Sequence, residues 1–152
     1  MLAADDAFLT TLVRLTRRLP VYPLFGRGET RLQPVHVEDV AEAIARIIAA
    51  EKAPDTYELA GPDVSTYREL VQEATNAAGA RTRLVSVPFP IWGLGARVSE
   101  MIPGAPLTRA QVDLMRRYNV ASGRLPGLSE LGIVPQQAPP VLREIAGWDE
   151  RS

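Results

Sequence analysis

Pro23-Leu24-Phe25-Gly26-Arg27-Gly28-Glu29-Thr30-Arg31-Leu32-Gln33-Pro34-Val35-His36-Val37-Glu38-Asp39-Val40-Ala41 is the stretch on which the reading of this chain turns. Its start belongs to the apolar run Val21-Tyr22-Pro23-Leu24-Phe25, followed by the polar turn Gly26 to Thr30. Leu32 to Val37 reads as a second strand, ended by Glu38-Asp39. Asp39 is a good N-cap residue, and Glu42 three positions later would close a capping box. The helix that follows is expected to bury Val40, Ile44, Ile47 and Ile48 on one face and to end near Ala50. Gly26-Arg27-Gly28 joins two short strands with no helix behind it, so it is a hairpin-like turn and not a phosphate loop.

Outward from that block, the spacing of Phe8, Leu12, Leu15 and Leu19 predicts a helix from about Asp5 to Leu19. Asp5 and Asp6 at its start and Arg17 and Arg18 near its end suit the helix dipole, and Pro20 stops it. Downstream, Thr56 to Ala60 reads as a short strand and Gly61-Pro62-Asp63 as a turn. Thr66-Tyr67-Arg68-Glu69 is a second capping box, opening a helix with Tyr67, Leu70, Val71 and Ala74 on one side and Gly79 as its C′ residue. Thr82 to Val87 reads as a strand, Ile91 to Ile102 as a helix, and Pro103-Gly104-Ala105-Pro106 as a rigid loop. Thr108-Arg109-Ala110-Gln111 is a third box, leading a helix to about Tyr118. The tail 122–152 is less regular, with one short helix expected near Pro139 to Ile145. The expected order is α-β-β-α-β-α-β-α-α, a mixed α/β (α+β) layer structure in one domain spanning 1–152, with short strands and about five helices.

Composition sets outer bounds on function. The 152 residues are 46% apolar and 23% charged, a foldable balance. A net charge of -1 gives no long-range pull on nucleic acid or anionic membranes. With no cysteine there is no disulfide framework and no thiolate chemistry, and a single His makes no multi-His metal site. No stretch approaches the roughly 18–20 continuous apolar residues of a transmembrane helix. The acidic start, Asp5-Asp6, does not fit a secretory signal. These features suit a cytoplasmic protein.

Several motifs are missing. No G-x-G-x-x-G follows a strand and opens a helix, so the dinucleotide fingerprint is not present. No Tyr-x-x-x-Lys exists, because the one lysine is Lys52 and Ile48 stands four residues before it. No G-x-S-x-G elbow is found. Neither catalytic nor cofactor-binding residues are therefore assigned to this chain.

The block from Pro23 to Ala41 closely resembles a segment of extended short-chain dehydrogenases and nucleotide-sugar epimerases: a glycine turn, then an Arg, then a strand ending in His-Val-x-Asp and a helix. Tyr57-Glu58-Leu59-Ala60-Gly61-Pro62 and Ser65-Thr66-Tyr67-Arg68-Glu69-Leu70 resemble the next strand, turn and helix of that family. Val87-Pro88-Phe89-Pro90 and Leu107-Thr108-Arg109-Ala110-Gln111-Val112 resemble one atypical branch, related to the nicotinamide-binding accessory subunit of respiratory complex I. The resemblance covers about residues 5 to 120. It implies that the chain is the C-terminal, substrate-side portion of such a protein. The Rossmann half, with NAD(P) and the catalytic Tyr and Lys, would lie upstream.

The family's phosphate-contacting Arg matches Arg31, and a guanidinium fork suits two phosphate oxygens at once. Many epimerases follow it with Asp and an aromatic residue, whereas Leu32 and Gln33 stand here, which weakens the sugar-nucleotide reading. Arg31 and His36 are the candidate substrate-binding residues. A lone His beside apolar neighbours is more often structural, as Asp39 is more often a cap, worth about 1 kcal/mol. Tyr22 and Tyr67 read as packing residues. Trp92, Leu94, Val98 and Met101 read as core ahead of an apolar groove or a membrane-facing patch. Arg116-Arg117 reads as a solvated helix end unless a pocket adjoins it.

The leading expectation is the substrate-binding portion of an NAD(P)-binding oxidoreductase or epimerase-like protein, inactive alone. The alternatives are an assembly module of the complex I accessory type, and a stand-alone small-molecule-binding domain. The partner expected first is the missing Rossmann half. Faces meant for it would promote self-association if left bare, and membrane association would come only through a partner.

Overall fold

A computed structural model describes residues 7–99 and 109–137. Its elements are α1 (Ala7–Arg18), β1 (Val21–Phe25), β2 (Arg31–Leu32), α2 (Val37–Ala49), β3 (Ser65–Thr66), α3 (Tyr67–Ala77), β4 (Arg83–Val87), α4 (Phe89–Ser99) and α5 (Arg109–Leu114). The order is the expected one and the class is mixed α/β. The strands make two separate two-stranded sheets, parallel β1–β4 and antiparallel β2–β3.

β1 and β4 run in register from Val21 opposite Arg83 to Phe25 opposite Val87. Alternation along β1 turns Tyr22 and Leu24 inward, at 9% and 0% exposure. Pro23 lacks an N–H, and a strand with a neighbour on one side only tolerates that loss. Against this sheet pack α1, through Leu12, Val13 and Thr16, and α3, through Tyr67, Leu70, Val71 and Ala74. The α3 stripe is the one its spacing predicts. The α1 stripe is not: Leu15 and Leu19 are 37% and 39% exposed. The buried face carries Val13 and Thr16 beside Leu12, and the Thr16 hydroxyl donates to the Val13 carbonyl at 2.9 Å.

Other boundaries move for identifiable reasons. The strand expected over Leu32 to Val37 is a ladder only at Arg31–Leu32. Beyond it Gln33 N–H donates to the Asn119 carbonyl at 3.0 Å, and Pro34 has no N–H to continue. α2 starts earlier than expected, at Val37, and its N-cap is His36, whose Nδ1 accepts from Glu38 N–H at 3.3 Å. Asp39 is thus not the cap. It lies inside the first turn, 3% exposed, and accepts the Gln136 backbone N–H at 2.8 Å.

The face of α2 also differs from expectation. Ala43 is buried, while Ile44 and Ile48 are 50% and 79% exposed. Thr56 to Ala60 forms no ladder; its Glu58 N–H donates to the Pro126 carbonyl at 3.0 Å. The third strand is Ser65–Thr66 instead. The Thr66 capping box is present, and Gly79 ends α3 at φ +61. α4 begins at Phe89, with Pro90 in the first turn where its missing N–H costs nothing. α5 ends at Leu114 rather than near Tyr118, because Asn119 N–H is drawn onto the Arg31 carbonyl at 2.8 Å. The predicted Thr108 cap, the loop 103–106, Met101 and the tail helix 139–145 lie outside the described residues.

Candidate anion site at the glycine turn

β1 and β4 end together, and the turn Gly26-Arg27-Gly28 leaves their carboxyl ends. In open α/β sheets that end is where ligands are bound. The turn is closed by Gly28 N–H on the Phe25 carbonyl at 2.9 Å, and tied to β4 by Gly26 N–H on the Val87 carbonyl at 2.9 Å. Both glycines have positive φ, +58 and +75. Neither has room for a side chain: a Cβ on Gly26 would lie 2.6 Å from the Phe89 ring, and one on Gly28 would lie 2.9 Å from Arg68 Cβ. The turn is therefore wedged between the first residues of α3 and α4, and this sets the direction in which Arg27 leaves the backbone.

Around Arg27 the fold gathers further arginines. Arg68 Nε donates to the Arg27 carbonyl at 3.0 Å, and its Nη2 to Ser86 Oγ at 2.9 Å. One cleft of about 470 Å³ is lined by Arg27, Gly28, Glu29, Thr66, Arg68 and Ser86. A second, of about 180 Å³, is lined by Phe25, Arg27, Glu29, Thr30, Phe89, Met115, Arg116 and Tyr118. The Arg116 guanidinium stands 5.2 Å from the Phe89 ring centre, and that of Arg31 stands 5.8 Å from the Tyr118 ring centre. Both are cation–π distances. Among the described residues no carboxylate lies within ion-pair distance of Arg27 or Arg31. The two clefts can accept an anion, and aromatic faces flank the smaller one.

The two residues singled out from the sequence go to different places. Arg31 is exposed on β2, one ring away from the smaller cleft through Tyr118. His36 caps α2, 3.9 Å from Glu38 Oε2, and lines neither cleft. No described contact joins them. Arg27, Arg68 and Tyr118 were missed. Arg27 sat inside a turn read only for its glycines, and Arg68 inside a capping box read only for Thr66 and Glu69. Nothing local says that residues 41 positions apart meet. Arg116 does adjoin a pocket, the condition under which it was expected to matter.

Acid–base candidates are not at hand. Tyr22 and Tyr67 hold each other at 3.0 Å between hydroxyls, and burial pushes both above the ordinary tyrosine range. They are packing residues, as their sequence context suggests. Among the described residues there is no cluster of three or more His, Cys, Asp or Glu able to hold a metal. Nor does the turn fit a dinucleotide: the space in front of each glycine is filled by Phe89 and Arg68, and the chain runs on into β2, not into a helix. Trp92 packs on Phe25 with ring centres 4.3 Å apart and donates to the Leu24 carbonyl at 3.1 Å, whereas Leu94 is 65% exposed. The expected core group thus divides; the side chains of Val98 and Met101 lie outside the described residues.

No family model matches the chain. Among curated proteins it is similar to the mitochondrial NADH dehydrogenase [ubiquinone] 1 alpha subcomplex subunit 9 of Arabidopsis thaliana, 37% identical over 93 residues, or 60% of this chain and 23% of that protein. It is also similar to the subunit of the same name from Rattus norvegicus, 30% identical over 145 residues, or 89% of this chain and 36% of that protein. The chain thus spans between about a quarter and about a third of the length of these relatives. The resemblance to the complex I accessory-subunit branch is met by both. Among solved structures, gox2253 superimposes with a TM-score of 0.61 at 22% identity, over 96% of this chain and 44% of that one. RMD from Pseudomonas aeruginosa, complexed with NADPH, gives 0.60 at 18% identity, over 97% and 43%. These two share the fold. No helix among the described residues is long and apolar enough to cross a membrane.

Proposed function

We propose that this chain is the substrate-side portion of an NAD(P)-binding, oxidoreductase-like protein of the complex I accessory-subunit type. Its arginine-lined clefts take the anionic part of a ligand, and it is not catalytic alone. The observation that carries this is the bare face of α2. Ile44 and Ile48 are spaced to pack against a neighbour, yet they are 50% and 79% exposed. The segment 56–60 forms no ladder among the described residues, and its Glu58 N–H donates to the Pro126 carbonyl at 3.0 Å. An apolar helix face left open suits an adjoining layer, the Rossmann half that would bring NAD(P) and the catalytic Tyr and Lys. Arg31 and His36 remain the proposed substrate contacts, with Arg27, Arg68 and Arg116 added from the clefts. The location proposed is cytoplasmic, with membrane association only through a partner.

Titrating the purified chain with NADH and NADPH by calorimetry tests this. No detectable heat of binding is expected. Tight, saturable binding of either would overturn the reading, since the dinucleotide would then have a site within these residues.

A second reading, as an assembly module, is favoured by the names of the curated relatives, both subunits of NADH dehydrogenase. In that case the parent lacks the Tyr-x-x-x-Lys pair and turnover is absent even in the full-length protein. Sequencing the parent and assaying it for hydride transfer separates the two readings.

A further inference from the structure

Two side-chain hydroxyls line the larger glycine-turn cleft, and they are not equivalent. Thr66 Oγ1 accepts the Glu69 N–H at 3.2 Å and donates to Glu69 Oε2 at 2.8 Å, so it is committed to the capping box. Ser86 Oγ, exposed near the carboxyl end of β4, accepts from Arg68 Nη2 at 2.9 Å and donates to nothing among the described residues. Its proton is free, and its oxygen already touches a guanidinium.

The cations around it lack counter-charges. Arg68 directs Nε to the Arg27 carbonyl and Nη2 to Ser86, both neutral acceptors. Among the described residues neither Arg68 nor Arg27 has a carboxylate within ion-pair distance, and Glu29 is the one acid in the lining of this cleft. The first N–H groups of α3 are already taken, Tyr67 by the Thr30 carbonyl at 2.8 Å and Arg68 by the Gly28 carbonyl at 2.9 Å. An anion here therefore depends on side chains. A phosphoryl group carried on Ser86 gains charge-assisted hydrogen bonds from Arg68, with the Arg27 fork in the same lining. The cleft, of about 470 Å³, has room for it.

Sequence and strand geometry meet at the same residue. Arg81-Thr82-Arg83-Leu84-Val85-Ser86-Val87 places exposed arginines five and three positions before the serine and an apolar residue after it. Kinases select substrates by such charge patterns. Neither arginine is held in an ion pair among the described residues. β4 is already extended, and among the described residues it has a ladder partner on one side only, so its other edge is open.

We propose that Ser86 is a phosphorylation site and that its phosphoryl group closes the larger cleft to anionic ligands. The donor is a nucleoside triphosphate held by an arginine-directed serine kinase. Ser86 Oγ bonds to the γ-phosphorus, the bond from that phosphorus to the bridging oxygen breaks, the nucleoside diphosphate leaves, and the hydroxyl proton passes to the kinase. The phosphoserine pairs with Arg68 and Arg27 and ties β4 to α3 and the glycine turn. The closure rests on the proposed reading of the clefts as an anion site; the modification does not.

The test incubates the full chain with magnesium ATP and the catalytic subunit of cyclic-AMP-dependent protein kinase, and maps the product by mass spectrometry. A phosphoryl group on Ser86 is expected, absent in Ser86→Ala and formed at least tenfold more slowly in Arg83→Gln. The phosphorylated chain should unfold at a higher temperature than the parent, and Arg68→Gln should abolish that increase. Inorganic phosphate, titrated calorimetrically, should bind the parent and bind the phosphorylated chain at least tenfold more weakly. The proposal is overturned by no phosphoryl group on Ser86, by a rate that Arg83→Gln leaves unchanged, or by phosphorylation that does not raise the unfolding temperature. A phosphorylated chain that binds phosphate as the parent does overturns the closure. A parent that binds no phosphate, with Ser86 phosphorylated and stabilising, overturns the anion reading of the clefts and supports the modification site.

Discussion

The hydroxyl of Tyr22 on β1 lies 3.0 Å from the hydroxyl of Tyr67 at the start of α3, and both rings are buried. This single polar contact joins sheet to helix inside the main core. Replacing one partner strands the other hydroxyl away from water, so Tyr22→Phe or Tyr67→Phe should each cost about 1–3 kcal/mol. The double substitution removes both polar groups and should cost less than the sum of the two. Urea unfolding of the four proteins in a double-mutant cycle measures the coupling.

The same pair sets a pH limit. Burial raises Tyr22 and outweighs the lowering effect of its hydrogen bond with Tyr67, and burial with the neighbouring phenol raises Tyr67. Both stay neutral in the folded state where an unfolded tyrosine, at its ordinary 10.0, would ionise. Their contribution is fully present below pH 10.0 and is lost as the pH rises above it. The slope is at most about 1.4 kcal/mol per pH unit per tyrosine. Unfolding midpoints from pH 8 upward check this, and the slope should fall in the double Phe variant.

Asp39 should behave as a clasp, not a cap. Its Oδ2 accepts the Gln136 backbone N–H at 2.8 Å and its Oδ1 lies 3.2 Å from Gln136 Nε2. A hydrogen bond to a charged group contributes about 1.5–3 kcal/mol. Asp39→Ala should cost that much and raise hydrogen exchange at Gln136, while Asp39→Asn, which keeps a carbonyl acceptor, should cost less. Equal exchange in Asp39→Ala and the parent would refute the clasp.

The capping box gives an acid-side counterpart. Thr66 N–H and then its hydroxyl, bonded to Glu69, hold that carboxyl below its ordinary 4.5. A lowered value means stabilisation that is present above 4.5 and lost as the pH falls through the folded value. Glu69→Gln should therefore flatten the acid limb of the stability profile below that pH. Thr66→Ala should cost about 1 kcal/mol at neutral pH, and Thr66→Ser should restore it.

Two glycines separate conformation from crowding. Gly79 has φ +61 and open space around its Cβ position, whereas Gly28 has φ +75 and Arg68 Cβ at 2.9 Å. Gly79→Ala should cost about 1 kcal/mol, the left-handed penalty alone. Gly28→Ala adds a clash that moves Arg68 away from Arg27 and Ser86, and should cost clearly more. Thermal midpoints of the two variants give the comparison.

The sequence by itself determined those elements whose signals are local. The α3 stripe, the Thr66 box and the Gly79 stop follow from spacing, caps and breakers within a few residues. It also determined the resemblance carried by Pro23 to Ala41, and it marked Arg31. What depended on residues far apart in the chain was left to the tertiary structure. Asn119, arriving beside Gln33, shortened β2 and α5; Gln136, arriving over Asp39, turned an expected cap into a clasp and left His36 to cap the helix. Periodicity said that α1 and α2 are amphipathic but not which apolar residues would find a neighbour. Burial is a property of the surface opposite, and for Ile44 and Ile48 no such surface is present among the described residues. The meetings of Arg27 with Arg68 and of Arg68 with Ser86 have the same origin: each pair of chain segments is brought together by the packing of the core, which no window along the sequence contains.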